Sequence, residues 1–387
     1  MYQNGTTHNA VLPLGFPAVT WSQNLHSKIN GGLGYDGRYL YADDFDNELV
    51  ALDPQSGSIV WRARADDVLM STPIVAEGMV FVGSGTNALL YDRPTGTVWG
   101  REGGNHWYAF RTGDGKEVWS YPTVGEAMPS AAYVAGQLLF ATGDNVATAV
   151  VAASAKPIWK TQLPGVPTMG SAMVRDGFAF FDTTQGKSKV DSPTRNHTLA
   201  LNTDDGKLRW DAPYGNSDCT PTVAQGLVFV EGVTDGPVGP REAWGYNDVT
   251  ALDEQTGTLR WHYRSPNGQF ASIGSLERGI TGTYDGGVLY QPVPVSNSMI
   301  AFRASDGAIL WQMHTTGPVK MSPLIAGGKV YFGDTVGMFY TLDAKTGAVR
   351  GAIPSDKPYA TSPPIIIGGT LFIANNDTVK AMPLNKL

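Results

Sequence analysis

The sequence predicts an all-β fold, a single eight-bladed β-propeller of four-stranded blades. Three observations predict it: seven Trp residues recur at one position of a repeating unit, each unit shares a glycine-bearing turn, and a second hairpin precedes each unit. Ala51 to Trp61 and Ala251 to Trp261 show the unit most clearly, as Ala-Leu-Asp, two variable residues, Ser or Thr, Gly, three more residues and Trp. Ala109 to Trp119, Ala200 to Trp210 and Ala301 to Trp311 follow the same spacing. Ala149 to Trp159 has Ala155 in place of the turn Gly, and Thr341 to Gly351 has lost its Trp. Self-similarity at a period of roughly 40 to 50 residues marks a propeller or a solenoid.

Each element follows from local chemistry. Gly57 or Gly257 supplies the positive φ of a tight turn, and Asp53 or Asp253 can accept hydrogen bonds from the turn backbone. Apolar residues on either side are spaced as two antiparallel strands, C and D. Upstream lies the A/B hairpin, as in Pro73 to Phe81, Thr222 to Phe229 and Pro323 to Tyr331. A four-stranded sheet has two faces and cannot bury both alone, so the blades must stack, with the outer-strand Trp packed on the next blade.

The A/B hairpin recurs eight times, around Gly37, Gly78, Gly136, Gly177, Gly226, Gly287, Gly328 and Gly369. The last repeat stops at Leu387 before its Trp position. Trp21 stands before the first A strand as Trp210 stands before a later one, so the segment Val19 to Trp21 should complete the final blade beside Val379 to Met382. Pairing the two chain ends closes the ring and removes exposed sheet edges. The expected organisation is a flexible tail over residues 1–17 and one propeller domain over 18–387.

Composition agrees. The chain has 387 residues, 47 Gly, 25 Pro, 16% charged residues and a net charge of -7, which describes a turn-rich β globule and argues against a nucleic-acid partner. Cys219 is the single cysteine, so no internal disulfide can form. No run is long and apolar enough to be a transmembrane segment.

The repeated Ala-Leu-Asp-x-x-Thr-Gly-x-x-x-Trp pattern resembles the repeat of pyrroloquinoline-quinone (PQQ) type propellers, from about Trp21 to Leu387. That family ranges from quinoprotein alcohol dehydrogenases through tetrathionate hydrolase to the BamB-type scaffolds of outer-membrane assembly. The motif builds the blade and leaves function to the site. The protein is expected to be periplasmic or secreted, and if it is exported the present chain is a mature form.

Departures from the repeat locate that site. From hairpin Gly to motif Ala the chain takes 13 residues in blade 7 (328 to 341) but 31 in blade 2 (78 to 109), 23 in blade 4 (177 to 200) and 25 in blade 5 (226 to 251). A long D-to-A link follows Trp261. Strand alternation sends B-C and D-A connections to one face, so one face is plain and the other elaborated. The insertions carry Trp99, Arg101, His106, Arg241, Trp244 and Arg278, candidates for ligand binding on long loops. They also offer a surface to a protein partner.

The residues that begin strand A should line the funnel on the same face. Three before the Pro73-equivalent position they read Ile29, Met70, Met128, Met169, Asp218, Gly279, Lys320 and Thr361, with Met321 one step beyond Lys320. The Met side chains suit an apolar or sulfur-rich ligand. Asp218 and Lys320 are the candidate catalytic pair, because charges at a throat are costly unless paired, hydrated or functional. His26, His106, His197 and His314 lack the spacing of a ligand cluster, so no metal site is expected.

Quinoprotein dehydrogenases clamp PQQ with a disulfide of adjacent cysteines, usually beside calcium; with Cys219 alone that clamp is absent. Two readings remain from different classes. The favoured one is an enzyme, hydrolase or oxidoreductase, or a binder whose small anionic or sulfur-containing ligand enters the funnel, similar to tetrathionate hydrolase in design. The alternative is a BamB-type interaction scaffold, and a PQQ-dependent dehydrogenase with calcium stands as a second alternative.

Overall fold

The computed structural model describes residues 7–12, 15–85, 90–91, 98–99, 104–167, 169–184, 196–216, 218–235, 244–266, 268–269, 280–359 and 361–387. Eight antiparallel sheets follow one another around a ring. Blade 2 is representative: strand A is Ile74–Ala76, B is Met79–Gly83, C is His106–Arg111 and D is Glu117–Pro122. Strands B and C are buried almost throughout, whereas D alternates because one of its faces meets solvent. Blade 8 combines Ile365–Ile367, Thr370–Asn375 and Thr378–Pro383 with the N-terminal strand Trp21–Asn24, in which Trp21 pairs with Ala381. The two chain ends therefore close the ring.

The repeat motif works as a latch between blades. Each indole Nε1 donates to a backbone carbonyl in the C-D turn of the next blade: Trp21 to Pro54, Trp61 to Thr112, Trp119 to Ala152 and Trp159 to Thr203. Trp210 to Glu254, Trp261 to Ala304 and Trp311 to Ala344 continue the series. The indole lies flat on the turn glycine, so a methyl at Gly115 would come within 2.6 Å of Trp61 and one at Gly257 within 2.6 Å of Trp210. Positive φ and close approach thus select Gly together. Ala155 is the exception, holding φ 55° with a side chain.

The motif Ala is the cross-strand partner of the Trp, as in Ala51 with Trp61 and Ala251 with Trp261, and a register shift follows it each time. The small residue leaves room beside the indole. In blade 7 both members change, to Thr341 opposite Gly351. The reason is topological: blade 8 takes its D strand from the N-terminus and has no C-D turn to receive a latch.

Residues 7–12 contradict the expected loose tail. Val11–Leu12 form a parallel pairing with Ile366 and Ile367 of the innermost strand of blade 8, and His8 and Ala10 are buried. From there the chain passes beneath blade 8, where Phe16 meets Phe372 edge-on at 5.9 Å and Val19 N donates to Thr370 Oγ1, to reach the outer strand at Trp21. The inner edges of the A strands of blades 6 to 8 carry backbone groups that need partners, and this segment supplies some of them.

Candidate functional site

A cavity of about 70 Å³ sits at the throat of the channel, lined by Asn30, Met70, Met128, Met169, Asp218, Lys320 and Thr361. These are equivalent residues from seven blades, at the point where each chain turns into strand A. Two steps further along lie Thr72, Ser130, Ser171, Thr220, Thr281 and Ser322, which line the same cavity. In extended chain, side chains two apart share a face, so the charged and thioether ring stands above a ring of hydroxyls.

The hydroxyl ring is a belt between blades. Gly32 N donates to Thr72 Oγ1 at 2.8 Å, Thr72 N to Ser130 Oγ at 2.7 Å and Ser130 N to Ser171 Oγ at 2.9 Å. Ser171 N then donates to Thr220 Oγ1 and Thr220 N to Thr281 Oγ1, while Thr361 Oγ1 donates to Asn30 O across the blade 8 to blade 1 junction. Thr72, Ser130, Ser171, Thr220 and Thr281 each satisfy a backbone donor of the preceding blade, which ties those blades together around the funnel.

Two predicted positions need correction. Met321 is buried in the blade core and its Sδ accepts from Gly333 N at 3.3 Å, so it does not line the throat. It is one step from Lys320, and one step in extended chain reverses the side chain. Cys219 and Ser71 hold the same place, accepting from Glu231 N and Gly83 N. In blade 1 the ring residue is Asn30, while Ile29 is buried in the core. The hairpin Gly37 stands in the first position of its turn, between Asp36 and Tyr39, whereas Gly78 stands in the second, between Ala76 and Met79. Counting back from the glycine therefore slips by one.

Of the loop candidates, Arg101, Arg241 and Arg278 lie outside the described residues, as does Gly279 of the ring. Val98–Trp99 pairs with Leu90–Tyr91, and Trp244–Asp253 extends strand C of blade 5 beyond the repeat, with Trp244 opposite Gln269 of the D-A link. The blade 5 insertion and the link after Trp261 therefore meet on one face. His106 begins strand C of blade 2, its ring 5.5 Å from that of Tyr108 and its Nδ1 3.9 Å from Asp66, and it is not part of the throat lining. His197 and His262 pair with Asp211 and Asp248 on neighbouring strands. Among the described residues no three His, Cys, Asp or Glu side chains group as a metal site.

Sequence reasoning missed the acids behind the throat. Asp43 lies against the throat residue Gly31, where an added methyl would meet its Oδ1 at 2.8 Å. Asp182 and Glu231 flank the buried Cys219, which stands between the lining residues Asp218 and Thr220. Glu231 Oε2 accepts from Ile280 N at 2.6 Å. Burial drives Asp43, Asp182 and Glu231 well above the usual carboxylate range and raises the Cys219 thiol. Burial thus favours the protonated form of these three carboxyls and the neutral form of the Cys219 thiol. Glu126, buried beside Asp67, is pushed up to about 8, first by burial and then by that neighbour.

The PQQ arrangement does not fit these residues. Its disulfide clamp requires two adjacent cysteines, and Cys219 is single and faces the blade interior away from the cavity.

Comparison with known proteins gives four findings. The family described as outer membrane protein assembly factor BamB matches residues 18–186 and 184–379. The tetrathionate hydrolase of Acidithiobacillus ferrooxidans is 25% identical over 370 residues, covering 90% of this chain and 71% of its own. That of Acidianus ambivalens is 25% identical over 384 residues, covering 90% and 69%. The crystal structure of BamB from Moraxella catarrhalis shares the fold with a TM-score of 0.67 at 15% identity, covering 94% of this chain and 96% of that one.

Proposed function

The chain belongs to the BamB-described family of PQQ-like β-propellers, and we propose that within it this protein is a periplasmic or secreted hydrolase whose substrate is a small sulfur-containing anion of the tetrathionate type. The observation that carries this reading is the convergence of Met70, Met128, Met169, Asp218 and Lys320 on one small cavity. Lys320 holds an anionic end of the substrate, and the three thioethers contact its divalent sulfur atoms through soft, polarizable surface. Asp218 orients water and exchanges the proton that hydrolysis requires. The two tetrathionate hydrolases that align with 90% of the chain support the same substrate class.

The test is direct. Purified protein is incubated with tetrathionate across pH 2 to 8 (roughly the span over which a carboxyl and its neighbours titrate), following substrate loss and binding. Wild type binds and turns over; Asp218→Asn abolishes turnover and keeps affinity, whereas Lys320→Met weakens binding. Neither binding nor turnover at any pH overturns the reading. A second reading, an interaction scaffold, is favoured by Leu208, Leu259, Ile309 and Val349, exposed apolar residues at one position of the outer strands of blades 4 to 7. Charged substitutions there would impair a scaffold and leave turnover intact.

A further inference from the structure

The inner edges of strands A in blades 6 to 8 are occupied by an extended piece of the chain itself. Tyr284 N donates to Thr7 O at 2.9 Å in blade 6. Asn9 bonds Ile325 of blade 7 in both directions, its Nδ2 donating to the carbonyl and its Oδ1 accepting from the amide, each at 2.9 Å. Ile366 N and Gly368 N of blade 8 donate to Ala10 O and Leu12 O. On the other side His8 Nε2 hydrogen-bonds Pro221 O of blade 5 at 3.0 Å, and Ala10 and Leu12 face Gly34, Tyr35 and Pro73 of blades 1 and 2 across a space of about 230 Å³. A six-residue segment thus bonds four blades, 5 to 8, and faces two more across that space.

Ring closure does not depend on this segment, because Trp21–Asn24 supplies the eighth outer strand and the Trp21 latch. The partners of residues 7–12 are also the backbone groups of an exposed sheet edge, which accept any extended strand of matching register. We propose that the inner edge of blades 6 to 8 is a separable peptide-binding site, filled in cis by residues 7–12, and that this occupant floors the funnel below the hydroxyl belt. The ligand class is an extended peptide with a side-chain amide at the Asn9 position and small or aliphatic residues at Ala10 to Leu12. With the site filled the channel has one mouth; with it emptied, two. The proposal is independent of what enters the funnel.

The experiment uses the full chain with a protease site inserted between residues 13 and 14, cut after folding. On dilution the released segment leaves, and amide exchange rises at 283–285, 324–326 and 365–367. A synthetic peptide of residues 5–13 then restores that protection saturably, and the Asn9→Ala peptide binds about tenfold more weakly, as two lost hydrogen bonds require. A cut chain that keeps its segment, one that unfolds on losing it, or an emptied ring that ignores the peptide overturns the proposal. In the uncut protein Asn9→Ala should raise exchange at 324–326 while the melt stays cooperative; unchanged exchange there also overturns it.

Discussion

Replacing Glu126 by Gln should make this protein more stable at neutral pH and no more stable in acid. Glu126 is 1% exposed, neither carboxyl oxygen has a hydrogen-bond partner among the described residues, and burial beside Asp67 moves its titration from 4.5 to about 8. For an acid whose folded value is raised, the unfolded chain gives up its proton first. The contribution is therefore complete below pH 4.5 and is lost as pH rises toward 8. At pH 7 the window spans roughly 2.5 pH units, which at about 1.4 kcal/mol each is a penalty of about 3 kcal/mol. Glutamine carries the shape without the proton, so the variant escapes the penalty. With an unfolding entropy of about 2 cal/mol/K per residue, that gain raises the melting temperature by roughly 4 °C. Scanning calorimetry of both proteins at pH 4.5 and 7 checks it. Equal melting in acid and a more stable variant at pH 7 are expected; a variant that tracks wild type at both pH values would refute the view that Glu126 is buried as a neutral acid.

Three further outcomes follow from the same structure. Ala155→Gly should raise stability by about 1 kcal/mol, read by denaturant melts, because Ala155 holds φ 55° where the other latched turns carry glycine. Removing residues 1–25 takes away the Trp21 latch and the outer strand of blade 8, and should cost several kcal/mol; a truncated protein that melts like the full chain would refute closure by this strand. His8 is held neutral by burial at about 4 against 6.5 when free, so docking of the N-terminal segment is strongest above pH 6.5 and weakens as pH falls toward 4. Amide exchange at Tyr284 and Ile325 between pH 4 and 7 tests this after correction for intrinsic rates.

The ring was legible because its chemistry repeats. One Trp, one Gly and one Ala per unit report the latch, and the missing Trp at Gly351 reports the seam. The throat was legible for the same reason, since Met70, Met128, Met169, Asp218 and Lys320 sit at one register. The hydroxyl belt carried an equally readable signal, Ser or Thr two residues after the ring in six blades, but only the contacts between blades reveal its use. Asp43, Asp182 and Glu231 also share one register, two residues beyond the strand-B partner of the motif Ala, but each is a polar residue ending an apolar run, which reads as a strand reaching solvent. Residues 7–12 lack any repeat, and a short segment whose hydrogen-bond partners come from four blades cannot be inferred from local pattern. The arginines of the insertions lie outside the described residues.

The propeller is fastened differently along two arcs. Among the described residues the hydroxyl belt runs from Thr361 through blade 1 to Thr281 of blade 6, and the N-terminal segment spans blades 5 to 8, where the belt gives out. The junction of blades 7 and 8 is also the one without an indole latch. Like a split key ring, the molecule has a built-in gap, and a load applied to residues 7–12 would bear first on that gap. Pulled from this end, the protein should yield in steps: the inner segment peels away, the junction of blades 7 and 8 parts, and the belted arc from blade 1 to blade 6 holds longest.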